Sequence, residues 1–153
     1  KGLRDSIKKG PLAGYPVVGV KAILHDGSSH PVDSNEMAFK MAARLSYKAG
    51  MAAAQPVLLE PIVDITVRVP DDYTGTVIGD FNKRRGSIMG MDMVDGYQEV
   101  TAQVPLAEVS KYAVELRAMT QGRGTYTQKF NRYDPVPTNM VDAIVKKYKQ
   151  DEE

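Results

Sequence analysis

The chain has 153 residues, 42% hydrophobic and 25% charged, with a formal net charge of +1. Such a composition reads as folded and soluble rather than disordered, and its near-neutral balance means that any nucleic-acid surface must be local. Zero cysteine excludes disulfides and thiolate metal sites and fits a reducing, cytoplasmic setting, and no apolar run approaches the roughly 20 residues a membrane helix needs. The first nine residues also lack the apolar core of a secretory signal.

The length admits one ordinary domain or two small ones. At the start, Leu3 and Ile7 share a helical face, and Gly10-Pro11 ends that short helix. Tyr15 to Leu24 alternates, with Val18, Val20, Ala22 and Leu24 on one side, and predicts a strand. Asp26-Gly27 opens a polar loop that carries His30. Asp33 stands three residues before Glu36, the spacing of a capping box, so Asp33 is the expected cap of the next helix. That helix carries Met37, Met41 and Leu45 four apart and runs into Ala52-Ala53-Ala54. One strand and two helices bury too little to close a sheet face, so this unit reads as incomplete.

Gln55-Pro56 marks a boundary, because a residue before proline is pushed out of the helical region. Val63, Ile65, Val67 and Val69 then alternate with Asp64, Thr66 and Arg68 as a half-buried strand. Pro70-Asp71-Asp72 opens a helix with Tyr73, Val77 and Phe81 at four-residue spacing; Gly75 and Gly79 suggest close approach to a sheet, and Gly86 ends the helix. Met89, Met91 and Met93 alternate as a strand and read as core packing. Asp95-Gly96 makes a hairpin turn into Val100, Ala102 and Val104. Leu106, Val109, Ala113 and Leu116 form the expected apolar face of a second helix, which Gly122 stops, and Tyr126 and Phe130 share a face of a last strand. The order is β-α-β-β-α-β, the ferredoxin-like split βαβ arrangement, with helices on one face of the sheet and the other free for a partner. After Asp134-Pro-Val-Pro137, Thr138 is placed to cap a final helix with Val141, Ile144, Val145 and Tyr148 on one side. The fold class is therefore α+β, in three parts: an incomplete unit over residues 1–54, a ferredoxin-like domain over 55–133, and a C-terminal helix and tail over 134–153.

Few residues carry recognisable chemistry. His25 and His30 lie near Asp26, Asp33 and Glu36, but the spacing matches no standard zinc arrangement. Gly122-Arg-Gly124 leaves a helix and enters a strand, the reverse of a phosphate loop, and no Gly-Lys-Ser/Thr occurs anywhere, so the chain has no P-loop. No carboxylate sits beside a credible nucleophile. The first strand-to-helix turn, Pro70-Asp71-Asp72, would repel an anion, which argues against phosphatase chemistry on this fold. Lys83-Arg84-Arg85 ends a helix, where it either favours the helix dipole or joins Arg123, Lys129 and Arg132 in a phosphate-contacting patch.

Two segments, His25-Asp-Gly-Ser-Ser-His-Pro-Val-Asp-Ser-Asn-Glu36 and Met119-Thr-Gln-Gly-Arg-Gly-Thr-Tyr126, flank Pro56-Val-Leu-Leu-Glu-Pro-Ile62 in the chain. With Leu12-Ala-Gly-Tyr-Pro-Val-Val18, Val77-Ile-Gly-Asp80, Arg84-Arg-Gly86 and Val104-Pro-Leu-Ala-Glu108, this ordered set resembles the C-terminal part of bacterial elongation factor G. The resemblance implies that residues 1–54 are the later half of a ribosomal-protein-like α+β fourth domain and residues 55–133 the fifth domain. It implies a fragment that is not itself an enzyme, from a ribosome-stimulated GTPase that moves messenger RNA and transfer RNA and assists ribosome recycling. GTP and magnesium would bind in an N-terminal domain, and no cofactor or metal in this part. Partners would be the ribosome, through RNA of both subunits, the A-site transfer RNA and stalk-base proteins. Ser28, Ser29, His30 and Pro31 would form the tip loop that enters the decoding region, and Lys83, Arg84, Arg85, Arg123, Lys129 and Arg132 are the candidates for ribosomal RNA contact. Ser29 and Pro31 stand where that loop usually carries Tyr and Asp, which keeps open a specialised paralogue or a ribosomal protection protein. A third reading, from a different class, is a ferredoxin-like module that binds a small ligand.

Overall fold

In the computed structural model, which describes residues 1–152, the alternation at Val63–Val69 becomes part of a 12-residue strand, β1 (Leu59–Pro70). Its odd-numbered residues from Val63 to Val69 are buried, whereas Asp64, Thr66 and Arg68 turn to the opposite face. A 3₁₀ turn at Asp71–Tyr73 leads into α3 (Thr74–Lys83), so named because two helices precede it, α1 (Gly2–Ser6) and α2 (Glu36–Ala53). Strands β2 (Ser87–Val94) and β3 (Tyr97–Pro105) follow, then a second 3₁₀ turn at Leu106–Val109, helix α4 (Tyr112–Met119), strand β4 (Thr125–Pro135) and helix α5 (Thr138–Asp151). The four strands form one antiparallel sheet in the order β2-β3-β1-β4, as the split βαβ pattern requires.

Contacts divide the chain at Leu58/Leu59 and Pro135/Val136. The sheet and its two helices form one unit, and the last helix belongs with the N-terminal residues in the other. In the sheet unit, Val63, Ile65, Val67, Val69, Val100, Ala102 and Val104 meet Val77 and Phe81 of α3 and Tyr112 and Leu116 of α4. Phe81 stacks on Tyr112 at 5.8 Å, and Tyr112 meets Tyr126 edge-on at 5.2 Å. Each fully buried Val, Ile, Leu or Phe among them stabilises the fold by about 1.5–3 kcal/mol relative to exposure.

Four expectations for this unit fail. Leu106 and Ala113 are exposed, whereas Val109 and Leu116 are buried as expected and Tyr112 takes the place of Ala113, because the 3₁₀ turn breaks the helix and resets its phase. Gly75 and Gly79 face open space rather than a sheet. The left-handed residue ending α3 is Arg85 (φ 57°), with Gly86 one place later, donating its N–H to the Phe81 carbonyl at 2.8 Å. Glycine is still needed at 86, since a Cβ there would lie 2.9 Å from that carbonyl oxygen. Finally, Met89, Met91 and Met93 are exposed: β2 is an edge strand, and Met89 falls in the register shift between Ile88 and Gly90, where it has no partner on β3.

The other unit is built from helices and extended segments. Helices α1 and α2 pack closely enough that a Cβ on Gly2 would come within 2.8 Å of the Lys40 Cα. The cap of α2 is Asn35, whose side chain accepts the Ala38 N–H at 2.8 Å; Asp33 lies in the preceding turn, too far upstream to reach the first free N–H groups. Val141, Ile144 and Tyr148 of α5 pack on a small cluster of Ala13, Leu58 and Val136. Residue Pro137 occupies the N-cap of α5 with no side-chain bond, and Thr138 is already the first helical residue. Tyr15 to Leu24 runs without a ladder. A strand exists only through a partner, no segment among the described residues pairs with it, and Val18, Val20 and Leu24 are exposed.

Candidate functional site

The loop from Asp26 to Ser34 is exposed over nearly its whole length, including Ser28, Ser29, His30 and Pro31. Its tip is closed by two reciprocal bonds. The His30 N–H donates to the Ser34 hydroxyl oxygen at 2.6 Å, and the Ser34 N–H donates to the His30 carbonyl at 3.1 Å. This five-residue closure, with Pro31 fixing one φ inside it, holds the His30 backbone while its imidazole makes no bond among the described residues. No three His, Asp or Glu side chains gather to hold a metal ion among the described residues.

The six candidate cations do not form one patch. Helix α3 delivers Lys83, Arg84 and Arg85 to the end of the sheet where β1 begins, whereas α4 delivers Arg123 to the end where β4 begins, beside Arg68 of β1. Glu60, which binds Arg85, and Arg68 are eight residues apart on one strand, roughly 26 Å at the usual rise. Lys129 lies opposite Asp64 on the sheet face away from the helices.

Arg84 and Arg85 hold the unit together internally. The Arg84 guanidinium donates from Nε to Asp80 at 2.7 Å and from Nη1 to the Glu108 carbonyl at 2.6 Å, and its Nη2 lies 2.7 Å from Glu115. It also lies 5.0 Å from the Tyr112 ring centre, with its side chain only 15% exposed. Burial pulls its pKa down, and the bonds to Asp80 and Glu115 outweigh this and raise it. Arg85 grips the Glu60 carboxylate with both terminal nitrogens, at 2.8 and 3.1 Å, and reaches Glu108 with Nε at 3.2 Å. Bonding to Glu60 raises its pKa, against the cost of burial. These two side chains thus tie α3, β1, the 3₁₀ turn and α4 to one another, with their donor forks already filled. The i,i+4 spacing of Asp80 and Arg84 could have signalled one of these bonds; Glu60, Glu108 and Glu115 come from elements whose juxtaposition only the fold supplies. Arg132 pairs with Asp134 at 2.9 Å, whereas Lys83, Arg123 and Lys129 have no ion-pair partner among the described residues.

Gly122-Arg-Gly124 is a helix exit, as its position after a helix predicts. Gln121 and Gly122 are left-handed, and the Gly122 N–H donates to the Arg117 carbonyl at 2.8 Å. The buried Thr120 hydroxyl accepts from Gly124 N–H and donates to the Leu116 carbonyl, and a Cβ on Gly124 would strike that hydroxyl at 2.8 Å.

Comparison with known proteins divides the chain at nearly the same first boundary as the contacts do, and its second match runs on into α5. Residues 1–55 match the family described as elongation factor G, domain IV, and residues 57–144 match the elongation factor G C-terminus. A crystal structure of a Thermus thermophilus protein superposes with a TM-score of 0.87 at 46% identity, covering 97% of this chain and 23% of that one. Two adjoining family matches in the family's own order, supported by a fold that agrees over nearly the whole length, show that the chain belongs to the elongation factor G family, over its domain IV and C-terminal regions.

Proposed function

We propose that this chain is the ribosome-contacting part of a translation factor that moves transfer RNA and messenger RNA in a GTP-dependent cycle. The observation that carries this reading is the ordered pair of matches to elongation factor G domain IV and C-terminus. GTP and magnesium would be handled outside these 153 residues, which contain no P-loop. The exposed loop at Ser28–Pro31, held by the His30–Ser34 closure, supports a role in reaching into a narrow RNA site, with His30 acting as a hydrogen-bonding group rather than an acid or base. Of the candidate cations, Lys83, Arg123 and Lys129 suit phosphate contact best because no carboxylate already neutralises them. A cytoplasmic site of action follows from this role.

The test is His30→Ala in the complete factor. Stability should stay within about 0.5 kcal/mol, as for other exposed positions. Translocation, followed by rapid kinetics, should slow while ribosome-stimulated GTP hydrolysis is spared. An unchanged translocation rate would favour a second reading, a paralogue with other duties, which the replacement of the usual Tyr and Asp by Ser29 and Pro31 already supports.

A further inference from the structure

The two edges of the sheet differ in how they are protected. Strand β4 carries Lys129, Arg132 and Pro135 and a register shift beside Asn131, all features that discourage another strand from joining. Strand β2 carries no Lys, Arg or Pro, and among the described residues nothing pairs with its outer side. Its one irregularity lies between Ile88 and Gly90, leaving Met91 to Val94 in regular register with β3. Facing residues of an antiparallel pair share a side of the sheet. Met91 faces Val100 and Met93 faces Gln98, so both sit on the helix-covered side, yet they are 49% and 58% exposed at the outer edge. Asp92 faces Glu99 on the other side. The whole hairpin from Ser87 to Pro105 holds Asp92, Asp95 and Glu99 and no basic residue; Arg68 of β1 lies 3.9 Å from Asp95 and faces Glu99, which leaves Asp92 as the acid of β2 without an ion-pair partner among the described residues.

We propose that the outer edge of β2 accepts an extended protein segment as a fifth strand, one in which apolar residues alternate with Lys or Arg. Main-chain bonding at Met91–Val94 would hold it, its apolar residues would lie beside Met91 and Met93, and its basic residues beside Asp92, with Glu99 one strand further in on the same face. Methionine suits such a surface because its thioether adapts to differently shaped neighbours. Charge excludes the other occupants: a second copy would bring two acidic hairpins together, and RNA would meet the same acids. This inference does not depend on the ribosomal reading, since it rests on β2 alone.

The experiment uses the whole chain and a nine-residue peptide alternating Val and Lys, with a Val/Glu peptide and a short single-stranded RNA as controls. The Val/Lys peptide should bind and slow amide exchange within Met91–Val94, and neither control should. Met91→Lys and Asp92→Lys should each weaken binding about tenfold, by putting a charge on the apolar side or reversing the one on the acidic side. Both positions are exposed, so thermal unfolding should stay unchanged, and Met93→Lys serves as a second probe if either variant unfolds. Absence of binding, equal binding of the Val/Glu peptide, protection confined to β4, or self-association through β2 would each overturn the proposal.

Discussion

The sheet unit buries twelve residues in one continuous cluster, whereas the helical unit gathers only Ala13, Leu58 and Val136 into its own. In the first, α3 and α4 cover one face of a four-stranded sheet whose two inner strands, β3 and β1, are paired on both sides. In the second, α2 exposes Met37, Met41 and Leu45, and the segment from Tyr15 to Leu24 exposes most of its apolar residues. Regular periodicity in a sequence thus does not itself predict burial; burial needs a partner surface, and only one unit supplies it. The sheet unit should therefore dominate the measured stability, with the helical unit opening first in hydrogen exchange.

The largest expected effect is at Phe81. Phe81→Ala should cost the sheet unit about 3–5 kcal/mol, read as a shift of its denaturant midpoint, whereas Ile144→Ala on the half-buried side of α5 should cost about 1 kcal/mol. Equal losses would mean that the two interiors are equally well packed. Next comes Arg84→Ala, expected to cost about 2 kcal/mol, less than for a fully buried pair because Glu115 is 46% exposed. Arg84→Lys should recover little, since an ammonium cannot serve Asp80, Glu115 and the Glu108 carbonyl in three directions. Under the proposed ribosome contact, Arg84→Ala should leave the salt dependence of binding unchanged, whereas Lys83→Ala should reduce its slope by about one unit.

In the helical unit the sharpest probe is Gly14. Its φ is +70°, and a Cβ there would lie 2.5 Å from the Tyr148 ring. Gly14→Ala should cost about 1–2 kcal/mol and speed exchange in α5, and adding Tyr148→Ala should relieve the collision but not the backbone strain. The smallest effect concerns pH. Hydrogen bonds from Lys9 and then Tyr148 hold Glu152 below its ordinary pKa, and Glu152, then Tyr148, raise that of Lys9. The Glu152 contribution is present above the ordinary Glu value and lost as pH falls through its depressed pKa; that of Lys9 is lost only as pH rises through a pKa above 10.5. The environment of Tyr148, followed by NMR, should stay constant from neutral pH down to the ordinary Glu range and change as pH falls below it.

Alternation at Val63–Val69 and Val100–Val104, turn chemistry at Asp95-Gly96 and the helix exit at Gly122 made the ferredoxin-like order legible, because each of these signals is local. What stayed hidden depends on neighbours distant in sequence. Met89, Met91 and Met93 alternate as a buried strand would, but whether such a strand is central or at an edge follows from sheet order. Tyr112 replaces Ala113 in the core because a 3₁₀ turn shifts the helix by one position, and Arg84 and Arg85 resemble a free basic cluster until Glu60, Glu108 and Glu115 are brought beside them. In the candidate site, the exposure of His30 was legible from the polar loop around it, but the clasp formed by Ser34 was not.

Leu59 and Pro135 are directly paired, and just beyond them the Val136 N–H donates to the Leu58 carbonyl at 2.9 Å. The chain therefore enters and leaves the sheet unit through one doorway, about 5 Å wide between Cα atoms. A module with such a doorway can be lifted out and its termini rejoined elsewhere, and the gap it leaves can be bridged by a turn of two or three residues. Circular permutation of the sheet unit, with new ends in the exposed Asp95-Gly96 turn, becomes a matter of one short linker.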